Sequence, residues 1–254
     1  MKFENSVAVV TGGASGLGFA AAQELSGRGL RVVIVDRNAD GGHEAAGALG
    51  DSVVFKQADV TDPEAMADAF AFASELGTTR VAVACAGIGI AERTIDRERN
   101  PHKLDSFKRV IDVNVIGTFN LLRFGAQAIA ASEPVETERG VIITTASIAA
   151  YDGQIGQLAY AASKGAIVAM TLPAARDLSA IGVRVMSIAP GIMDTPLLGL
   201  LPEEVKANLG KSVPFPKRLG LPRDFGSLVG TICENSYLNG EVIRLDGALR
   251  MPPK

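Results

Sequence analysis

Short β-rich runs alternate with longer segments of helical spacing along this chain, and that alternation leaves few folds open. The runs are Val7–Thr11, Arg31–Asp36, Val53–Lys56, Val81–Cys85, Val141–Thr145, Val183–Ile188 and Val242–Leu245. Most are nearly continuous apolar stretches, as strands covered on both faces must be. Between them lie helical patterns such as Phe19–Leu25 and Glu64–Leu76, the latter with Thr61 or Asp62 as cap and Pro63 in the first turn. This order predicts an α/β chain with a parallel seven-stranded sheet, right-handed crossovers and helices on both faces. With 254 residues and 47% apolar side chains, one sizeable core is expected, and residues 1–254 read as a single domain.

A net charge of −3 speaks against a general electrostatic grip on nucleic acid. Two cysteines, Cys85 and Cys233, cannot staple a domain of this size and read as reduced core thiols. His43 and His102 have no neighbours at ligand spacing, so no metal site is assigned. The first strand begins near Ser6, leaving no room for a leader, and each apolar run is interrupted by Gly, Asp or Arg. The expectation is a cytoplasmic protein without a membrane partner.

Directly after the first strand comes Thr11-Gly12-Gly13-Ala14-Ser15-Gly16-Leu17-Gly18, which then opens a helix. Gly12 allows a tight turn. Gly16 and Gly18 remove side chains where a backbone approaches a pyrophosphate and where helix meets strand. The helix start offers free N–H groups and a positive dipole end. An ordinary Gly-rich turn is the plain alternative; the strand–loop–helix context favours a doubly wound, Rossmann-type dinucleotide site. Asp36 ends the second strand, where a carboxylate can accept both adenosine ribose hydroxyls and repel a 2′-phosphate, which points to NAD over NADP. Arg37 beside it points the other way, and Asp36 could simply cap the next segment. Asp59 and Val60 end the third strand, at the height of an adenine.

Tyr160-Ala-Ala-Ser-Lys164 puts a phenol and an ammonium on one helix face. A tyrosine near ~10 is a poor base at neutral pH, and moving it down by about three units takes roughly 4 kcal/mol. The lysine and a nicotinamide cation have the right charges for that work. Tyr160 then takes the carbinol proton as hydride leaves, and Lys164 also holds a ribose. Ser147, after the fifth strand, can join the tyrosine around one substrate oxygen. Asn114, in Val110-Ile-Asp-Val-Asn-Val, is a candidate to hold a water that relays protons from Lys164. Singly, Ser147 could cap a strand, Asn114 could be a satisfied amide and Tyr160 a core aromatic; together with the glycine loop they point to one site.

Three stretches leave the periodic pattern: Ala91–Asp105, Ala131–Gly140 and Asp194–Gly220. The last is expected to be a lid, because Leu197, Leu198, Leu200 and Leu201 are too apolar for a solvated loop. Arg93, Arg97, Arg99 and Lys103 in the first are candidate cations for coenzyme A phosphates; a solvated charge run is the alternative.

Over nearly its full length the chain resembles the short-chain dehydrogenase/reductase superfamily, and within it the type II 3-hydroxyacyl-CoA dehydrogenases, also studied as 17β-hydroxysteroid dehydrogenases. The carrying segments include Cys85-Ala-Gly-Ile, Gly153-Gln-Ile-Gly-Gln157, Met170–Leu178, Ile188-Ala-Pro-Gly191, Thr195-Pro-Leu-Leu and Asn239–Met251. The resemblance implies catalytic roles for Ser147, Tyr160 and Lys164 with Asn114 in support, and a substrate contact from Gln154. It implies NAD contacts from Ser15, Leu17, Asp36, Asp59 and Val60, from Cys85, Ala86 and Gly87, and from the turn Pro190–Thr195 with Gly191 and Met193. It also implies a homotetramer built on the helices around Asn114 and Tyr160. One departure is Ala84, where the subfamily carries Asn, so a strand-stabilising amide is missing. Pro173 interrupts a helix pattern and is expected to kink it or lose a backbone bond. The implied reaction is oxidation of an (S)-3-hydroxyacyl-CoA to the 3-ketoacyl-CoA. The alternatives are reduction of 3-ketoacyl-carrier-protein, turnover of a steroid or other secondary alcohol, and a non-catalytic nucleotide-binding subunit.

Overall fold

In the computed structural model, which describes residues 5–196, 198–199 and 202–253, strands β1 (Ser6–Thr11), β2 (Arg31–Asp36), β3 (Val53–Gln57), β4 (Thr78–Ala84), β5 (Gly140–Thr145), β6 (Val183–Pro190) and β7 (Val242–Leu245) form one sheet. Its order is β3-β2-β1-β4-β5-β6-β7, and every neighbouring pair is parallel. The winding direction reverses between β1 and β4, which opens a crevice at the carboxyl ends of those strands.

Strand periodicity explains the burial. Val7 and Val9 face one side, against Met66 and Phe70 of α3 (Pro63–Leu76) and Leu121 of α5 (Gly117–Ala130). Ala8 and Val10 face the other, against Leu25 of α1 (Gly16–Gly27) and Phe225 and Val229 of α8 (Pro222–Glu234). Both faces being covered, the strands read as continuous apolar runs, and each fully buried Leu, Ile or Phe contributes about 1.5–3 kcal/mol. The remaining helices are α2 (Ala39–Leu49), α4 (Leu104–Ile111), α6 (Leu158–Ser179) and α7 (Glu203–Ser212).

Several boundaries differ from the periodic reading. β4 begins at Thr78 rather than Val81 because its polar start is buried: Thr79 and Arg80 are inside, and Arg80 Nη1 donates to the Arg139 carbonyl (2.9 Å) and Ser132 Oγ (3.1 Å). At the same amino-terminal edge Arg184 pairs with Glu138 at 2.8 Å and donates to the Leu238 carbonyl at 2.8 Å. Asp62, not Thr61, caps α3, taking the N–H groups of Glu64 (2.9 Å) and Ala65 (3.2 Å). α6 runs unbroken through Pro173, so the expected interruption is confined to the bond that proline cannot donate. By length and composition α6 is apolar enough to cross a membrane, although no such span is expected from the sequence; in this fold it packs beside β6, with Ile167 against Ala146 and Ala189. The Asp194–Gly220 excursion contains a helix, α7. Of its leucines, Leu198 is half-buried, while Leu197, Leu200 and Leu201 lie outside the described residues.

Candidate active site

The glycine loop is shaped by contact and by conformation. Gly12 has φ +66°, and a Cβ there would lie 2.6 Å from the Ala86 nitrogen. A Cβ on Gly18 would lie 2.2 Å from the Gly12 carbonyl oxygen, so α1 can start against the loop only without a side chain. Gly16 is different: its neighbours are 3.5 Å away, at Thr195 and Pro196, and its φ of +54° is what favours glycine. Ser15 precedes α1 in extended conformation and makes no side-chain cap bond, and the first turn of α1 carries no acidic residue. The first-turn N–H groups therefore face the crevice without a competing carboxylate, which suits a pyrophosphate. Leu17 turns inward onto the core.

Asp36 ends β2 beside this loop. Its Oδ2 accepts the Ala14 N–H at 3.3 Å, and its Oδ1 accepts the Asn38 N–H at 3.1 Å. The carboxylate thus ties loop to strand and also forms the local turn that is its plain alternative; the cap of α2 itself is Asn38. Arg37 is exposed. Asp59 Oδ1 is engaged by Thr61, from the N–H at 2.9 Å and Oγ1 at 2.8 Å. Val60 is buried against Gly117, with its carbonyl held by Asn120 Nδ2 at 2.8 Å.

Beyond β4, the half-buried Cys85 receives Thr145 Oγ1 at 3.6 Å, and burial pushes its thiol up to about 12. Ala84, where an amide is missing, is a buried strand residue paired with Thr11 and Thr144. Gly87 lies against two predicted site residues: a Cβ there would be 3.3 Å from Asn114 Oδ1 and 3.7 Å from Lys164 Nζ. On the far side Pro190 ends β6, the Gly191 N–H donates to the Leu245 carbonyl at 2.9 Å, and Met193 is buried where the chain bridges to Gly220. Thr195 lies over Gly16.

Ser147, Tyr160, Lys164 and Asn114 come together at the carboxyl ends of β4 and β5. Ser147 Oγ accepts the Ala149 N–H at 3.1 Å, capping the 3-10 turn Ile148–Ala150, and lies near enough to the Tyr160 phenol to lower its pKa. Lys164 is buried on the next turn of α6; its Nζ lies 5.7 Å from the Tyr160 ring centroid and donates to the Thr145 carbonyl at 2.7 Å. Desolvation pulls the lysine down to about 8. The expected depression of Tyr160 is not met in the protein alone: burial raises the phenol, and the Ser147 hydroxyl recovers part of that.

Asn114 sits in a π-turn, Asp112–Ile116, where the Gly117 N–H reaches back to the Asp112 carbonyl. Its Oδ1 accepts the Ile88 N–H at 2.8 Å, and its Nδ2 donates to the Ile88 carbonyl and Ser163 Oγ, both at 2.9 Å. The side chain is a fully partnered amide that locks the loop after β4 onto α6. Thr145 and Ser163 are contributors that sequence reasoning missed: one acts through its main-chain carbonyl, and the other is an unremarkable serine inside the Tyr160–Lys164 spacing.

Gln154 does not join Ser147 and Tyr160. Its Nε2 donates to the Pro252 carbonyl at 3.0 Å and its Oε1 accepts from Gln157 at 3.2 Å. It lines an open pocket of about 450 Å³ between the Ala91–Asp105 insertion and the start of α6, with Arg93, Ile95, Ile155 and Ala161. The insertion is ordered by Asp96, which accepts the Glu98 and Asn100 N–H groups, and by Glu92, which accepts the Lys103 N–H at 2.7 Å. Arg93, Arg97, Arg99 and Lys103 are all exposed.

Residues 6–206 match the short chain dehydrogenase family, and the chain belongs to it, a family of oxidoreductases. The chain is 53% identical over 250 residues to human 3-hydroxyacyl-CoA dehydrogenase type-2, covering 97% of this chain and 96% of that one. It is 51% identical over 253 residues to the Drosophila melanogaster protein of the same name, covering 98% and 99%. Among solved structures, 3-hydroxyacyl-CoA dehydrogenase type-2 from Mycobacterium avium superposes with a TM-score of 0.96 at 45% identity, covering 99% of this chain and 98% of that one.

Proposed function

We propose that this chain oxidises an (S)-3-hydroxyacyl-CoA to the 3-ketoacyl-CoA, with NAD as hydride acceptor. The observation that carries the reading is the buried Lys164, bonded to the Thr145 carbonyl and 5.7 Å from the Tyr160 ring centroid, at the same strand ends as the open glycine loop. The relatives named for this reaction support it. Bound along the loop, NAD supplies the nicotinamide carbon that takes the hydride. The protein does the rest. Gly12, Gly16 and Gly18 let the backbone come close to a pyrophosphate, and Asp36 offers its carboxylate to ribose hydroxyls. Ser147 and Tyr160 hold the substrate oxygen from two sides; Tyr160 takes the hydroxyl proton as the C–H hydride leaves, and returns it in the reverse reaction. Lys164 keeps a positive charge within reach of the phenol and can hold a ribose.

The exposed arginines of the insertion suit coenzyme A phosphates on a chain of net charge −3. Exposed Ile116, Phe119, Leu158 and Leu172 on and beside α5 and α6 support a homotetramer, and two free cysteines suit a reducing compartment such as the cytoplasm. Initial rates on 3-hydroxyacyl-CoAs, 3-ketoacyl-carrier-protein, steroids and simple alcohols, each with NAD(H) and NADP(H), test the proposal. A preference for NADPH with carrier-protein thioesters would replace it.

A further inference from the structure

One basic residue outside the reacting groups joins the three segments that border them. Arg244, in β7, forks onto Asp152: Nη1 donates to Oδ1 at 3.2 Å and Nη2 to Oδ2 at 2.5 Å. Its Nε donates to Asp246 at 2.7 Å, and Nη2 also donates to the Leu249 carbonyl at 3.0 Å. The guanidinium stands 5.3 Å from the centre of the Tyr151 ring. The fork is largely removed from solvent, with side-chain exposures of 21% for Arg244, 13% for Asp152 and 7% for Asp246.

Each partner leads to a different wall. The Asp152 N–H is bonded to the Ile148 carbonyl at 2.8 Å, so the fork fixes the turn that Ser147 caps. Asp246 packs on Gly191, where a Cβ would lie 2.8 Å from its Cα, so the same loop backs the Pro190–Thr195 turn. The next residue, Gly247, accepts the Phe215 N–H at 3.2 Å and anchors the end of the Asp194–Gly220 excursion. Leu249 then buries itself with Ile148 and Val213, closing the circuit through apolar contact. Ala189 pairs with Arg244 across the β6–β7 ladder, so the hub sits on the sheet itself.

We infer that Arg244 is a positioning residue: through its fork on Asp152 it sets the Ser147 turn, the Val213–Phe215 segment and the carboxyl-terminal tail in one fixed relation, and so shapes the side of the site on which the proposed substrate is held. The inference rests on the proposed dehydrogenase reading. A bidentate, partly desolvated pair is suited to this work, because it fixes direction as well as distance.

Arg244→Met, Arg244→Lys and Asp152→Asn test it, with (S)-3-hydroxybutyryl-CoA and NAD. Arg244→Met is expected to raise KM for the thioester at least fivefold while kcat falls less than threefold and NADH binding, read by fluorescence, changes less than twofold. Arg244→Lys keeps the charge and one bond and should fall between the two. Hydrogen exchange of the substrate-free protein gives a readout that needs no turnover. Amides of 148–152, 213–215 and 249–251 should speed up together, by tenfold or more, in Arg244→Met; Asp152→Asn should show the same pattern and covers the case in which Arg244→Met does not fold. Exchange that rises only at 249–251, or a kcat loss tracking the loss of folded protein at constant KM, overturns the inference. A wild-type protein inactive on every 3-hydroxyacyl-CoA overturns the reaction instead, and the exchange pattern still decides the role of Arg244.

Discussion

The Lys164 ammonium donates to the main-chain carbonyl of Thr145 at 2.7 Å, in the interior rather than in solvent. Desolvation there brings the lysine from 10.5 to about 8, a drop worth roughly 3 kcal/mol. The sign follows from linkage. Below about pH 8 the folded state bears the full cost of the buried charge; as pH rises towards 10.5 the folded protein sheds that proton before the unfolded chain does, so this penalty fades and stability rises. Cys85 acts oppositely above pH 9, because its thiol is held up at about 12. Between pH 8 and 9, denaturant unfolding should show wild type gaining stability relative to Lys164→Met. A constant difference across that window would mean that the lysine is not desolvated as described.

Tyr160→Phe keeps the ring and removes the transferable proton. Turnover should fall about 10²–10⁴-fold, while NAD affinity stays within threefold. Ser147→Ala removes the partner of the phenol and should lower kcat more than it raises KM. If Tyr160→Phe retained a third of wild-type turnover, the proton would have to travel by another route.

Two glycines separate contact from conformation. Gly18→Ala places a methyl 2.2 Å from a carbonyl oxygen and must move the loop, so NAD affinity should fall tenfold or more and Tm should drop. Gly27, in the last turn of α1, has nothing within 4 Å of a Cβ. Gly27→Ala should leave NAD binding unchanged and raise stability by about 0.5–1 kcal/mol. Equal affinities in both variants would remove the loop from the cofactor site.

Asp36→Ala removes a carboxylate that would repel a 2′-phosphate and leaves Arg37 in place. The ratio of kcat/KM for NAD over NADP should fall at least tenfold. A wild-type protein already faster with NADP would contradict the NAD assignment outright.

If Arg93, Arg97, Arg99 and Lys103 meet coenzyme A phosphates, KM for the thioester should rise severalfold between 0.02 M and 0.3 M salt, because exposed charges are screened over about 10 Å at 0.1 M. Neutralising the four should reproduce that rise at low salt and leave an uncharged alcohol unaffected. Equal losses on both substrates would assign the insertion to folding or closure.

What the sequence disclosed and what it hid have physical causes. Strands β2 and β7 match the expected runs residue for residue; in β2 the cause is burial of Val32–Val35 on both faces, which writes itself as continuous hydrophobicity. The start of β4 was hidden by Thr79 and Arg80, polar residues that are buried, the arginine through specific bonds that periodicity cannot show. Tyr160 and Lys164 were legible because helical spacing fixes their shared face. Their environment was not, since the phenol's rise and the lysine's fall depend on three-dimensional desolvation. The resemblance implies a substrate contact for Gln154; its bond to Pro252, nearly a hundred residues on, is a pairing no local pattern carries. The helix inside Asp194–Gly220 was hidden by the prolines around it.

At the amino-terminal edge of the sheet, Arg80 and Arg184 hold strand ends together through the Arg139 and Leu238 carbonyls and the half-buried partner Glu138, all on the side away from Tyr160. The molecule therefore has two poles, one for durability and one for chemistry. Replacing Glu138 leaves the buried Arg184 without its charge partner and should cost about 3 kcal/mol, the low end for such pairs because Glu138 is half-buried, and leave the Michaelis constants where they were. Such a geography lets endurance be adjusted, by selection or by design, without retuning the reaction at the opposite rim.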